Sequence, residues 1–246
     1  MEYNLTMEIQ IAVAKANQHG SPESGDTLEV VERPAGGISI VLCDGLTSGK
    51  EAKVVSTAVV RKVIGLLAEG VRDGAAARAA SDALFTERGG QTTAYLNIVS
   101  ADLQTRTIVI SRNNPTPLYV AQRERIECLS GESTAVGGSR NIKPAIAEIP
   151  LEAGTTIVMY TDGLHLAGRK YGENLDVCTL IESMIEDQEA NAQGIADMIL
   201  AQGIRLDQGR PNDDMSVVVL CVLPKDPDLV RRMAMRLPVP SENMLG

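Results

Sequence analysis

Aromatic residues are almost missing from this chain, which has one Phe, five Tyr and no Trp in 246 residues. Any core must therefore be aliphatic, packed from Val, Ile, Leu, Ala and Met. Basic residues are also in short supply: 23 Lys and Arg against 32 Asp and Glu leave a formal charge of −9. Non-specific nucleic-acid binding is driven by cationic neutralisation of phosphates, so this balance excludes it. No apolar run approaches the length of a membrane span. The start, MEYNLTMEIQ, lacks the basic region and apolar block of a signal peptide. These absences predict a soluble, cytoplasmic protein that does not bind membranes. The four cysteines, Cys43, Cys128, Cys178 and Cys221, form no CxxC pair and match no zinc spacing. They are expected as buried, reduced thiols.

What is present is a strong apolar fraction, 44% of the chain, enough for one large domain or two small ones. The stretch ISIVLCDG (38–45) organises it. Ile38, Ile40, Val41, Leu42 and Cys43 read as a buried strand, with β-branched and apolar residues and no helical period. Asp44 stands at its tip, and Gly45, without a Cβ, lets the chain turn and its carbonyl approach a ligand. The pattern recurs in TTIVMYTDG, with Asp162 and Gly163. A third apolar strand, MSVVVLCVL, follows Asp213 and Asp214.

Residues 7–17 alternate as a strand, 18–26 are loop by composition, and 27–34 and 38–44 are two strands joined at Ala35 to Gly37. Short connections predict an antiparallel meander of these three strands. A helix over 49–68 follows, with Ala52, Val55, Val59, Val63 and Leu66 on one stripe and Ser48 as N-cap. A second, Ala-rich helix covers 73–87 and stops at Gly89 and Gly90. Strands are expected at 92–103, 105–113, 117–122, 124–129, 146–149 and 155–161. Helices are expected at 174–187 and 191–206, and a last strand at 215–223. This order fits an α+β fold: two antiparallel sheets packed face to face, flanked by helix pairs. The domain should span 1–223. Residues 224–246, with four prolines, read as an irregular extension in which Val230, Met233 and Leu237 could dock on the domain or a partner.

Asp26, Asp44, Asp162, Asp213 and Asp214 all lie beside strand ends and offer oxygen. Such donors suit hard cations, Mg²⁺ or Mn²⁺, and not zinc or copper. Two ions sharing a carboxylate could hold a hydroxide for in-line attack on phosphorus. Singly, an Asp-Gly pair is a turn, and spacing alone leaves turn and ligand both open.

SGDTLEV, CDG, NNPTPL, IPLEAGTTIVMYTDGL and NDDMSVVVL, in that order over about residues 7–223, resemble the metal-dependent protein serine/threonine phosphatases of the PPM family, in the branch that includes the bacterial SpoIIE sporulation phosphatase. The resemblance implies an αββα sandwich. It also implies hydrolysis of phosphoserine or phosphothreonine on a protein by a metal-bridging hydroxide, in bacterial signalling. Asp44 matches the acid that bridges two Mn²⁺ or Mg²⁺ ions, and the Gly45 carbonyl joins one of them. Asp162 and Asp213 match acids completing the other shell. Asp26 matches an acid that holds metal-bound water, and Asp214 a neighbouring position with weaker ligand character. The branch commonly acts on an anti-sigma-factor antagonist.

Departures from the pattern are local. DGLTSG replaces DGxGxG, so Thr47 stands for a glycine. Leu46 and Thr47 offer no general-acid His, and His19 and His165 are expected at the surface or behind the site. No phosphate-binding arginine is recognisable before SGD. Arg112, Asn113 and Asn114 replace a small segment and read as a turn, and LHLAG stands where an acid usually follows TDG. Two competing functions therefore stay open: a catalytically weak or inactive regulatory module, and a metal-dependent hydrolase of a small phosphate ester. The helix over 49–68, tied to Asp44 and Gly45 at its start, is the expected regulatory lever.

Overall fold

A computed structural model describes residues 7–47, 49–122, 125–186, 191–225 and 230–238. In chain order these form β1 (Met7–Ala16), β2 (Asp26–Glu32), β3 (Gly37–Gly45), α1 (Lys50–Ala68), α2 (Asp73–Arg88), β4 (Ala94–Asp102), β5 (Thr107–Asn113), β6 (Leu118–Gln122), β7 (Arg125–Leu129), β8 (Ala145–Pro150), β9 (Thr155–Tyr160), the single-turn α3 (Asp162–His165), α4 (Val177–Glu186), α5 (Ala192–Leu206) and β10 (Met215–Pro224). A short 3-10 turn, Arg169–Tyr171, follows α3. It and α3 fall where the sequence pattern showed nothing regular, because one turn is too short to display a 3.6-residue period.

Two five-stranded antiparallel sheets result, in the orders β1-β10-β9-β6-β7 and β2-β3-β4-β5-β8. The expected meander is half correct. β2 and β3 form a hairpin, but β1 pairs with β10 along its whole length, Met7↔Pro224 to Ala16↔Met215. The loop of residues 17–25 therefore crosses from one sheet to the other. The pairing is dictated by burial: Ala12 and Ala14 face the α4–α5 layer, while Ile9, Ile11 and Val13 face the sandwich interior, so β1 needs cover on both sides.

Three apolar layers hold the molecule together. Ile40, Leu42, Val99, Ile108, Ile110, Ile157, Met159, Val218 and Leu220 fill the space between the sheets. Val55, Val59, Val63 and Leu67 of α1, with the alanines of α2, cover one outer face. Ile181, Ile195, Ile199 and their neighbours cover the other. The fold is thus the αββα sandwich, and its core is aliphatic, with Tyr160 the largest fully buried side chain. Cys43 and Cys221 are buried as expected, but Cys128 is exposed and Cys178 half-exposed; all four are free. The expected Ser48 cap lies outside the described residues. Gly49, at φ 61°, occupies the N-cap of α1 and supplies no side-chain bond. No helix among the described residues is long and apolar enough to cross a membrane.

Residues 230–238 carry no regular structure. Arg231 pairs with Glu32 at 2.7 Å. Val230, Met233 and Leu237 are all exposed, so docking on the domain is not seen.

At the end of the β2–β3 hairpin remote from Asp44, Arg33 reaches under the α1–α2 connection. Its Nη1 donates to Asp73, Ser39 and Ser100, each at 3.2 Å, and its Nη2 to the Val71 carbonyl at 3.0 Å. Ser100 also donates to Asp73. Removing one partner from such a buried pair leaves an uncompensated charge. Arg33→Ala is therefore expected to lower the unfolding free energy by about 3–5 kcal/mol in urea titrations; a loss under about 1 kcal/mol would mean the network contributes little.

Candidate metal centre

The strand ends nearest Asp44 bring the acids together. β3 carries Asp44 on the face turned toward the second sheet, directly opposite Asp26 on β2 and Tyr95 on β4. From the facing sheet, β9 ends at Tyr160 and hands the chain to Asp162, while Asp213 precedes β10. A reciprocal clamp fixes these two ends: Thr161 donates its N–H to the Ser216 carbonyl, and Ser216 its N–H to Thr161 Oγ1, both at 3.0 Å.

Two glycines are required by close approach. A Cβ on Gly45 would lie 2.3 Å from the Ala52 carbonyl oxygen, and one on Gly163 would lie 2.1 Å from that of Asp214. Gly45 is the last residue of β3, so the expected turn at Gly45 is instead contact with α1. The start of α1 is thereby seated against the strand that bears Asp44. The Gly45 carbonyl accepts the Thr47 N–H at 2.8 Å, and the buried Thr47 hydroxyl has no partner among the described residues.

Asp26 is fully buried. Its Oδ2 accepts from Ser216 Oγ at 2.6 Å and Thr161 Oγ1 at 3.0 Å, whereas its Oδ1 has no protein partner among the described residues. Burial pushes its pKa up to about 6, against the pull of Ser216, Lys15 and Thr161. Asp44 is pushed further, to about 10, first by burial, then by the charges of Asp26 and Asp162, and by a hydrogen bond with Asp162. Asp213 is raised by burial and by Asp162 and Asp214, against the Asp214 N–H. Lys15 and Lys53 do not neutralise these carboxylates directly; both ammonium groups donate to the Asp26 backbone carbonyl, at 3.0 and 2.8 Å.

Four carboxylates from two sheets thus gather at one end of the sandwich, and two of them, Asp26 and Asp44, are raised well above the usual carboxylate range. No group of three His, Cys, Asp or Glu among the described residues stands at ligating spacing. The all-oxygen donor set and the orphaned Asp26 Oδ1 fit a hard divalent ion.

Asp214 has a different place. Its two oxygens accept from the Gln18 N–H at 2.8 Å and the Gly25 N–H at 2.7 Å, tying down the 17–25 crossover. His19 is exposed, and its backbone N–H bonds Pro211. His165 sits beside Tyr160, with Nε2 3.3 Å from Arg169. Arg112 supports the loop after β5, donating to the carbonyls of Asn114 at 2.9 Å and Thr116 at 3.0 Å, as a turn requires. Lys15, Lys53, Thr161, Ser216 and Tyr95 escaped the sequence reading. Thr161 and Ser216 stood inside the TDG and DDMS motifs; the other three gave no local signal.

Comparison with known proteins agrees with this architecture. The phosphatase domain of SpoIIE from Bacillus subtilis, solved with a fragment of its regulatory domain, superposes with a TM-score of 0.74 at 22% identity, over 90% of this chain and 65% of that one. The catalytic domain of PstP, solved with two manganese ions, gives 0.68 at 15% identity, over 89% of this chain and 100% of that one. RsbX, solved with magnesium, gives 0.67 at 15% identity, over 88% and 98%. These define the PP2C phosphatase fold. Residues 34–223 match the family model of stage II sporulation protein E, and the chain belongs to that SpoIIE family. The stage II sporulation protein E of Priestia megaterium is 24% identical over 86% of this chain, and that of Bacillus subtilis strain 168 is 23% identical over 86%. The chain spans 36% and 25% of the lengths of those relatives.

The raised carboxyls set a pH dependence. In the folded chain Asp44 keeps its proton up to about pH 10, whereas its ordinary value is 3.8, so over that window the native state binds more protons than the unfolded one. Stability of the metal-free protein is then greatest at low pH on this account and falls as pH rises toward 10. A cation held by these carboxylates would displace those protons and remove the slope. Thermal melts at pH 5 and pH 8.5 should separate without Mn²⁺ and converge with it; an Asp44→Asn variant should flatten the metal-free slope, leaving only the part set by Asp26 below about pH 6.

Proposed function

We propose that the chain is a metal-dependent protein phosphatase that hydrolyses phosphoserine or phosphothreonine on a protein substrate. The observation that carries this reading is the gathering of Asp26 and Asp44, paired across one sheet, with Asp162 and Asp213 at strand ends of the other. PP2C-fold relatives solved with manganese and with magnesium support Mn²⁺ or Mg²⁺ as the cation, and two ions as the number. Asp44 would bridge them, with the Gly45 carbonyl on one and Asp162 and Asp213 on the other. Asp26, through its free Oδ1, would hold water on the outer side. Asp214 adds loop anchorage and weaker ligand character. Bound cations neutralise phosphate charge and lower the pKa of the attacking water.

The protein's own contribution is placement. The β2–β3 hairpin fixes Asp26 against Asp44, and the Thr161–Ser216 clamp fixes Asp162 against the start of β10. None of the cysteines has an arginine six positions on, so a phosphocysteine route is not supported. We assign residues 1–223 to the phosphatase domain and 224–246 to an extension. By family analogy the substrate is an anti-sigma-factor antagonist in a cytoplasmic signalling pathway.

Purified protein should hydrolyse a phosphoserine peptide with Mn²⁺ and lose activity in EDTA. Asp44→Asn and Asp162→Asn should each reduce kcat/KM by at least about 100-fold. A folded sample that takes up Mn²⁺ but turns over neither peptides nor small esters would instead indicate a regulatory module. Turnover of small esters alone would indicate a small-molecule hydrolase.

A further inference from the structure

A serine alkoxide leaves phosphorus poorly unless a hydrogen-bond donor reaches its oxygen as the P–O bond breaks. His19 is exposed beyond the 17–25 crossover, and His165 faces Tyr160 and Arg169. Tyr95 is placed differently. It lies opposite Asp44 in the β3–β4 register, on the same face of the sheet. Directly opposed residues on neighbouring strands have Cβ atoms about 5 Å apart. Tyr95 therefore stands on the inward face of its sheet, at the end where the acids gather. The residue is only partly buried, and among the described residues its hydroxyl has no hydrogen-bond partner. Tyr119 and Tyr160, by contrast, stack on each other at 6.4 Å, and both pack into the α4–α5 side of the molecule.

Resting on the phosphatase reading above, we propose that the Tyr95 hydroxyl is the catalytic donor to the leaving oxygen of the phosphoprotein. Water oxygen forms the new bond to phosphorus, and the bond from phosphorus to the seryl or threonyl oxygen breaks. That oxygen departs with the electron pair and receives a proton through Tyr95. The proton released by the attacking water restores the phenol by way of solvent. The products are a free hydroxyl side chain and inorganic phosphate, and no other reactant is needed. The assignment predicts a dependence on leaving group. An alkoxide needs the donor, whereas the nitrophenolate of p-nitrophenyl phosphate is stable without it.

The test compares wild type with Tyr95→Phe in saturating Mn²⁺, on a phosphoserine peptide and on p-nitrophenyl phosphate. Loss of a positioned donor of this kind costs about 100-fold or more. We expect that loss in kcat/KM on the peptide, with less than about a threefold change on the nitrophenyl ester. Mn²⁺ affinity by calorimetry should stay within about twofold. Equal losses on the two substrates, no loss on either, or a fall in Mn²⁺ affinity that accounts for the loss would each overturn the role. Wild-type protein inert toward both esters would fail earlier, at the phosphatase reading itself.

Discussion

Asp26, fully buried, and Asp44, half-buried, face each other across the β2–β3 hairpin, with Asp162 and Asp213 arriving from the opposite sheet. Like charges gathered in a low-dielectric site repel, and burial disfavours their ionised forms. In the metal-free chain the conflict is relieved by protons, which is why Asp44 is held near neutral form far above the usual carboxylate range. The apolar layer between the sheets supplies the stiffness to hold the acids there. A cluster this unfavourable alone is what a hard cation would relieve.

Everything nearby serves that confrontation. The hairpin sets the Asp26–Asp44 register, and its far end is pinned by the buried Arg33–Asp73 pair, which also anchors α2. Gly45 admits the backbone of α1 to the strand that carries Asp44, and Gly163 admits the backbone at Asp214 to α3. Thr161 and Ser216 bond each other's backbone and also donate to Asp26, so one set of hydroxyls joins three chain segments. The start of α1 is thereby seated against the strand that carries Asp44.

Most of this architecture was legible in the residues. Apolar runs ending in acids fixed the strand tips, and the stripe Ala52, Val55, Val59, Val63 marked the inner face of α1, because burial imposes a period on each element. What stayed hidden was partnership across the chain. β1 reads as the first strand of a meander, yet it pairs with β10, some two hundred residues on, because pairing is decided by which sheet face needs cover. The roles of Lys15, Lys53 and Tyr95 depend on strand register and helix placement, which no local pattern records. Asp213 and Asp214 are neighbours in sequence with different partners: Asp213 accepts the Asp214 N–H, and Asp214 accepts those of Gln18 and Gly25. Only the geometry separates them.

The central claim is that this carboxylate cluster exists to hold divalent cations. Anomalous diffraction from crystals grown with Mn²⁺ tests it directly. The account predicts Mn²⁺ bonded to the Asp44 carboxylate, with a second ion sharing it and Asp162 and Asp213 drawn in as ligands. Well-ordered crystals soaked in millimolar Mn²⁺ that show no anomalous peak beside Asp44 would contradict it.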